Sequence, residues 1–153
     1  PELELYAIGT NSIATSAMLK AGASYGATGE NPVIVNARNA DLIIGPIGIV
    51  MADSLMGEIT AAMATAVSSS SAYKILIPVN RCNHFIAGCQ GGSLSDYIRQ
   101  VCEEVGKVCC KLACISAFSS KSAYGEPTML LVFMNMETRR CHYQVTCPFR
   151  KKA

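Results

Sequence analysis

Residues 41–60, DLIIGPIGIVMADSLMGEIT, constrain the possible folds of this chain more than any other segment. Leu42, Ile43 and Ile44 form an apolar run without alternation, which is typical of a parallel strand covered on both faces. A glycine-proline turn follows, and after it the apolar residues recur at helical spacing. A buried strand, a turn and a helix make half of a βαβ unit, and in such folds ligands bind beyond the carboxyl end of the strand.

The remaining pattern predicts an α/β fold with a mainly parallel sheet and flanking helices. We expect further strands at residues 3–8, 33–35, 74–79 and 84–89, with residues 26–32 as a loop. Helices are predicted at 13–21, 52–67 and 94–105. The second should be kinked near Gly57 or divided there into two shorter helices, with Thr60 capping the later one, and the third should be capped by Ser93 or Ser95. Pro78 cannot donate to a sheet ladder and should lie near the end of its strand.

Charge and cysteine divide the chain into two parts. Residues 1–105 carry a net charge of −4 and three cysteines, whereas residues 106–153 carry +6 and five cysteines. We interpret the first part as the α/β domain and the second as an irregular basic tail, either disordered or not native to the protein. A small added structural unit is the alternative. The cysteine spacing lacks the C-x-x-C pairs typical of zinc sites, so no metal is predicted.

Composition excludes several classes of protein. Half of the residues are hydrophobic and only 16% are charged, which excludes a disordered chain. The longest apolar stretch, residues 42–52, is interrupted by glycine and proline and is shorter than the ~20 residues that span a bilayer. No signal peptide is evident, so we expect a cytoplasmic protein without a membrane partner. The aromatic residues of the basic tail form no stacking pattern, which argues against a nucleic-acid partner.

Three polar turns that follow predicted strands are the candidate binding residues. Free amide groups and the helix dipole beside Thr10 and Asn11 would favour a phosphate or carboxylate, although an ordinary helix cap is the commoner use of such residues. Glycines after the central strand would let a ligand approach the backbone, with a tight turn as the alternative. Arg81 would neutralise charge, or belongs to a surface turn. The candidates are Gly9, Thr10, Asn11, Gly45, Gly48, Asn80 and Arg81. Glu30 and Asn31 would reach a ribose hydroxyl or lie in a solvated loop.

Five strings resemble an uncharacterised bacterial family, a small domain of unknown function. They are residues 7–11 (AIGTN), 14–23 (ATSAMLKAGA), 26–31 (GATGEN), 43–49 (IIGPIGI) and 75–83 (ILIPVNRCN). The resemblance covers about residues 1–105 and implies a Rossmann-like fold. Members of that family begin with a strand, a glycine-rich turn and a helix, and the resemblance implies that this opening is missing from the chain. If the missing strand is central, its neighbours would have an unpaired edge.

These observations favour a domain that binds a nucleotide, a dinucleotide or another small anionic ligand at the carboxyl ends of its strands. The alternative is a non-catalytic assembly or regulatory protein whose Ala- and Met-rich helices pack with a partner, including a second copy of the chain. The sequence identifies no nucleophile and no acid–base pair, so whether the protein is an enzyme stays open.

Overall fold

A computed structural model describes residues 3–78, 85–89, 92–108 and 131–136. In chain order the elements are β1 (Leu3–Gly9), α1 (Ser12–Lys20), β2 (Tyr25–Thr28), α2 (Glu30–Asn39), β3 (Leu42–Pro46), a 3₁₀ helix (Ile47–Val50), α3 (Ser54–Gly57), α4 (Ala61–Ser69), β4 (Tyr73–Ile77), α5 (Leu94–Val108) and β5 (Leu131–Met136). The predicted α/β class is confirmed. Among the described helices, none combines the length and the apolar composition needed to cross a bilayer.

The strands form one sheet in the order β2-β1-β5-β3-β4. β1 and β2 are parallel, β3 and β4 are parallel, and β5 runs antiparallel to both of its neighbours, β1 and β3. The first four strands therefore point in one direction, and their last residues lie at the same edge of the sheet. We call this the carboxyl edge. β1 and β3 both pair with β5, so neither has a free edge facing the other.

Helices cover both faces of the sheet. On one face, α2 and α4 pack over Ile8 and Ile43 in the main core, which also contains Val33, Ala37, Ile49, Ile59, Met63 and Val67. On the other face, α1 packs through Ala14 and Met18 against Ala7. α5 lies beside β4 on this second face. Leu42 points to the face opposite Ile43, and its partner on β4, Tyr73, donates a hydrogen bond to Glu104 of α5. Alternating residues of β1 and β3 thus pack into two apolar layers, one on each face of the sheet.

The segment after α1 differs from the prediction. Residues 33–35, predicted as a strand, lie inside α2, and residues 25–28, mostly assigned to a loop, form β2. Val33 and Ala37 are fully buried at helical spacing, whereas Val35 is 44% exposed. Pro32 is tolerated because it lies in the first helical turn, where amide groups have no intrahelical acceptor. β2 has little apolar content of its own and forms by pairing with β1, where the rings of Tyr6 and Tyr25 stack.

The helical stretch predicted at residues 52–67 is divided into two shorter helices, of which the first, α3, is irregular. Residues 47–50 form a 3₁₀ helix, and Leu55 and Met56 within α3 have left-handed backbone angles. Only the part beyond the predicted break is regular: α4 begins after Thr60, whose hydroxyl accepts from the Met63 amide as expected.

The other elements follow the sequence pattern more closely. β1, β3, β4, α1 and α5 are confirmed, and Pro78 immediately follows β4. α5 is capped by Ser93, whose hydroxyl accepts from the Asp96 amide. The predicted strand at residues 84–89 is not found in its described part, residues 85–89, which has turn geometry. β5 lies in the segment that the sequence pattern assigned to the irregular tail.

Candidate functional site

Three helices begin at the carboxyl edge. α1 starts after Asn11, α2 after Gly29 and α4 after Thr60, each following a strand or turn that ends there. Helix N-termini carry unpaired amide groups and about half a positive charge from the peptide dipoles. The carboxyl edge therefore concentrates hydrogen-bond donors and partial positive charge from the backbone, which is the environment that the sequence predicted for a ligand site.

The turn from β1 to α1 contains three of the predicted residues. Asn11 caps α1, since its Oδ1 accepts from the Ala14 amide at 2.9 Å, and the Gly9 carbonyl accepts from the Gly29 amide at 3.0 Å. The cap leaves the amide groups of Ser12 and Ile13 without an intrahelical acceptor. Asn11 therefore acts as the helix cap that the sequence offered as the alternative, and two further donors remain beside it.

A buried threonine holds this turn in place, and the sequence pattern did not identify it. Thr15 is 6% exposed, and its Oγ1 lies 3.1 Å from the Asn11 carbonyl, 3.2 Å from the Ala27 carbonyl and 2.7 Å from Thr28 Oγ1. A Cβ added at Gly9 would meet this hydroxyl at 2.5 Å. Gly9 is thus required by the close packing of α1 on β1.

The predicted glycines after the central strand are both buried. Ser54 Oγ donates to the Gly48 carbonyl at 2.5 Å, and a Cβ on Gly48 would come within 3.2 Å of that hydroxyl. The close approach that Gly48 allows is therefore made by Ser54 of the same chain. Gly45 lies at the same level as the end of β1, two strands away across β5, which corresponds to roughly 10 Å.

Residues 51–60 form a compact loop that covers this part of the carboxyl edge, and we call it the 51–60 loop. The Asp53 amide donates to the Ile59 carbonyl at 2.8 Å, and the Ile59 amide donates to the Ser54 carbonyl at 3.3 Å. Ile59 is fully buried and anchors the loop in the core. The turn between these bonds is tight: Asp53, Leu55 and Met56 have positive φ angles, which cost bulky residues about 1–2 kcal/mol each.

Two carboxylates from different parts of the chain accept hydrogen bonds from threonines at the carboxyl edge. Thr10 Oγ1 donates to Glu58 Oε2 at 2.6 Å, which joins the end of β1 to the 51–60 loop. Thr60 Oγ1 donates to Glu30 Oε2, which joins the first residues of α4 and α2. Glu58 falls within the helix predicted at residues 52–67. Its contact with Thr10 depends on the turn geometry of the loop, which no pattern in the sequence indicates.

The model of a family described only as a domain of unknown function, DUF3842, matches residues 1–110. The chain belongs to this family. The predicted resemblance to a domain of unknown function is thereby confirmed. Searches of curated proteins and of solved structures found no match. The DUF3842 match spans β1 to α5 and leaves out β5, so the whole described carboxyl edge except the start of β5 lies inside the family domain.

The charged side chains of the DUF3842 domain are unevenly placed around the sheet. Lys20 and Arg38 lie in the last turns of α1 and α2, and Lys74 near the start of β4, all at the edge opposite the carboxyl edge. Glu30 and Glu58 lie at the carboxyl edge itself. In the described part of the chain, the side-chain charge of this edge is therefore negative and its positive potential comes from the helix N-termini.

The structure describes five of the seven predicted binding residues. Gly9, Thr10 and Asn11 lie at the same edge as Gly45 and Gly48, and the Thr10–Glu58 bond joins the β1–α1 turn to the 51–60 loop. Asn80 and Arg81 lie outside the described residues. Within the residues that the structure describes, no group of three His, Cys, Asp or Glu side chains is arranged to hold a metal ion.

Proposed function

We propose that this DUF3842 domain binds a nucleotide or another small anionic ligand at the carboxyl edge. The observation that carries the proposal is the convergence of three helix N-termini, those of α1, α2 and α4, on one edge of a sheet. A phosphate beside α1 would accept from the Ser12 and Ile13 amides, and the dipole would favour its charge. Thr10 Oγ1, beside these amides, donates its one proton to Glu58, so the donors to a phosphate at α1 would be the two backbone amides.

Arg81 completes the proposed site. Arg81 follows β4 in the sequence, and in this proposal it supplies a positive side chain beside Glu30 and Glu58. An arginine at this place would bind phosphate oxygens through two donors. Asn80, the preceding residue, would add an amide donor or acceptor.

Thermal unfolding with nucleotides tests the proposal. ADP, ATP, NAD⁺ and inorganic phosphate would each be added to the full chain, followed by calorimetric titration of any that stabilises it. A ligand present at a hundred times its Kd stabilises by about 2.7 kcal/mol. For a chain of this size that raises Tm by roughly 5–10 °C. If Tm stays unchanged with all four probes, the proposal is contradicted.

Arg81→Ala should weaken nucleotide binding about tenfold, since a charged hydrogen bond is lost, and should leave Tm without ligand unchanged. Arg38→Ala is the matched control, because Arg38 is an exposed arginine in the last turn of α2, at the edge opposite the carboxyl edge. Equal affinity of the Arg81 variant and the wild type would remove Arg81 from the site.

The second candidate function is assembly through α4. A shallow, open depression of about 470 Å³ lies against this helix and is lined by small side chains, among them Ala61, Ala64 and Thr65. A helix of a second copy would approach closely over such a surface. Light scattering at increasing protein concentration, with Ala61→Arg as the disrupting variant, tests this function. A mass that grows with concentration only in the wild type would support it, and a constant monomer mass would exclude it.

A further inference from the structure

Glu58 is an exposed residue whose carboxylate and backbone amide both form hydrogen bonds at the carboxyl edge. Thr10 donates to its Oε2 at 2.6 Å, and its own amide donates to the Leu55 carbonyl at 3.2 Å. The next residue, Ile59, is fully buried in the core. A carboxylate fixed in this way has a defined position relative to the β1–α1 turn.

The hydrogen-bond acceptor sites that Thr10 leaves open on Glu58 determine which ligand groups it can bind. An ionised carboxylate only accepts hydrogen bonds and has about four lone-pair sites, of which Thr10 uses one. Among the described residues, no lysine or arginine forms an ion pair with it. A ligand group placed here must therefore bring its own donors, as a hydroxyl does. A phosphate at the same position would meet a like charge.

The backbone of the 51–60 loop explains how Glu58 reaches this position. Leu55 and Met56 adopt left-handed angles, and Met56 is entirely exposed. A regular helix through these residues, as their apolar spacing predicts, would not bend the chain back toward Thr10. The strained turn is retained while the Ser54–Gly48 and Asp53–Ile59 bonds hold its ends.

From this geometry we propose that Glu58 determines the specificity of the carboxyl edge by accepting a sugar hydroxyl of the ligand and excluding a phosphate from the same position. The inference rests on the proposed nucleotide function and names the part of the nucleotide that lies beside Thr10, namely the ribose 2′,3′-diol. In this arrangement the ribose hydroxyls contact Glu58, and the phosphates accept from the amides at the helix N-termini.

Three adenine nucleotides distinguish the effect of the 2′-hydroxyl on binding from the effect of an added phosphate charge. ADP and adenosine 2′,5′-bisphosphate are isomers with two phosphates each, and only ADP has a free 2′-hydroxyl; 2′-deoxy-ADP lacks that hydroxyl without adding charge. Calorimetric titration of the full chain should show ADP binding about tenfold tighter than either of the others, since a hydrogen bond to a charged group is lost or replaced by repulsion.

The decisive variant is Glu58→Gln, whose amide oxygen still accepts from Thr10 while the charge is removed. We expect the preference of ADP over the bisphosphate to fall to about twofold, mainly because the bisphosphate binds more tightly. Glu103→Gln removes one charge from an exposed position of α5 and should leave the preference unchanged. Tm without ligand should be the same for both variants, because both side chains are exposed.

The outcomes separate the two proposals. If the wild type and both variants bind none of the three nucleotides, nucleotide binding itself is refuted, and the role of Glu58 with it. If the wild type binds ADP and its isomer equally, or if Glu58→Gln keeps the wild-type preference, only the role of Glu58 is refuted. A loss of preference in Glu103→Gln as large as in Glu58→Gln would show an effect of net charge and would equally overturn the assignment.

Discussion

Gly9→Ala tests whether α1 packs on β1 as closely as the structure describes. A Cβ at this position would lie 2.5 Å from Thr15 Oγ1, 2.9 Å from the Asn11 carbonyl oxygen and 3.0 Å from the Thr15 amide nitrogen. Two of the three atoms belong to the backbone of the turn and of the first turn of α1, so a side-chain rotation cannot relieve the contact. The helix must shift.

The cost follows from these contacts. Inserting a methyl group into a packed site costs about 1–3 kcal/mol, and the backbone contacts place this case near the upper end. Replacing glycine also lowers the conformational entropy of the unfolded chain, which raises the free energy of unfolding by about 0.4–1 kcal/mol. The expected loss of unfolding free energy is therefore about 2 kcal/mol, and the corresponding fall in Tm is roughly 4–8 °C for a chain of this size.

Urea unfolding followed by circular dichroism measures this loss, with the m-value checked for constancy. Gly106→Ala is the matched control, since nothing lies within 4 Å of a Cβ at that helical position. It should stabilise the protein by up to about 1 kcal/mol through helix propensity. A Gly9→Ala variant as stable as the wild type would refute the described packing of α1 against the turn.

Three further substitutions follow from the hydrogen bonds. Thr60→Ala should lose about 1 kcal/mol, measured by urea unfolding, because the cap of α4 and the contact with Glu30 disappear together. Thr15→Val should cost about 1–3 kcal/mol in the same assay by leaving its buried partners unsatisfied, whereas Thr15→Ser should stay near the wild type. Hydrogen bonds from Ser93 lower the pKa of Asp96, so the stabilisation they give is present above the unfolded pKa and is lost as pH falls below about 4. In Ser93→Ala, pH-dependent unfolding should therefore show a smaller loss of stability across that acid range than the wild type; an identical pH profile would contradict this.

Elements with their own apolar run or amphipathic face were predictable from the sequence. β3 was found from Leu42, Ile43 and Ile44, all of which are buried, and α5 from a regular helical pattern with Ser93 at its start. β2 was missed because an exposed edge strand acquires its structure from β1 and not from its own residues. Val33 was assigned to a strand because a short apolar run does not distinguish a strand from a helix.

The candidate site was predictable only in part. Polar turns at strand ends were sufficient to place Thr10 and Asn11 at the carboxyl edge, since parallel strands end at one edge of a sheet. The contact of Thr10 with Glu58 was not, because it joins residues 48 positions apart through a loop in a rare backbone conformation. Thr15 looked like any helical residue, and only its burial against β2 shows that it fixes the turn.

The antiparallel strand β5 sets the width of the carboxyl edge. Val132 pairs with Ala7 on one side and with Ile44 on the other, so β1 and β3 are held two strand spacings apart, roughly 10 Å. A direct β1–β3 pairing would halve that separation and bring the Gly9 turn against Gly45. The gap is instead bridged at its top by the Thr10–Glu58 hydrogen bond, which connects the two parallel pairs through side chains at the same edge. The separation of the two parallel strand pairs at the carboxyl edge is thus set by a strand outside the family domain, and the contact across it is made by a loop inside that domain, so a change in either would alter the distance between the end of β1 and Glu58.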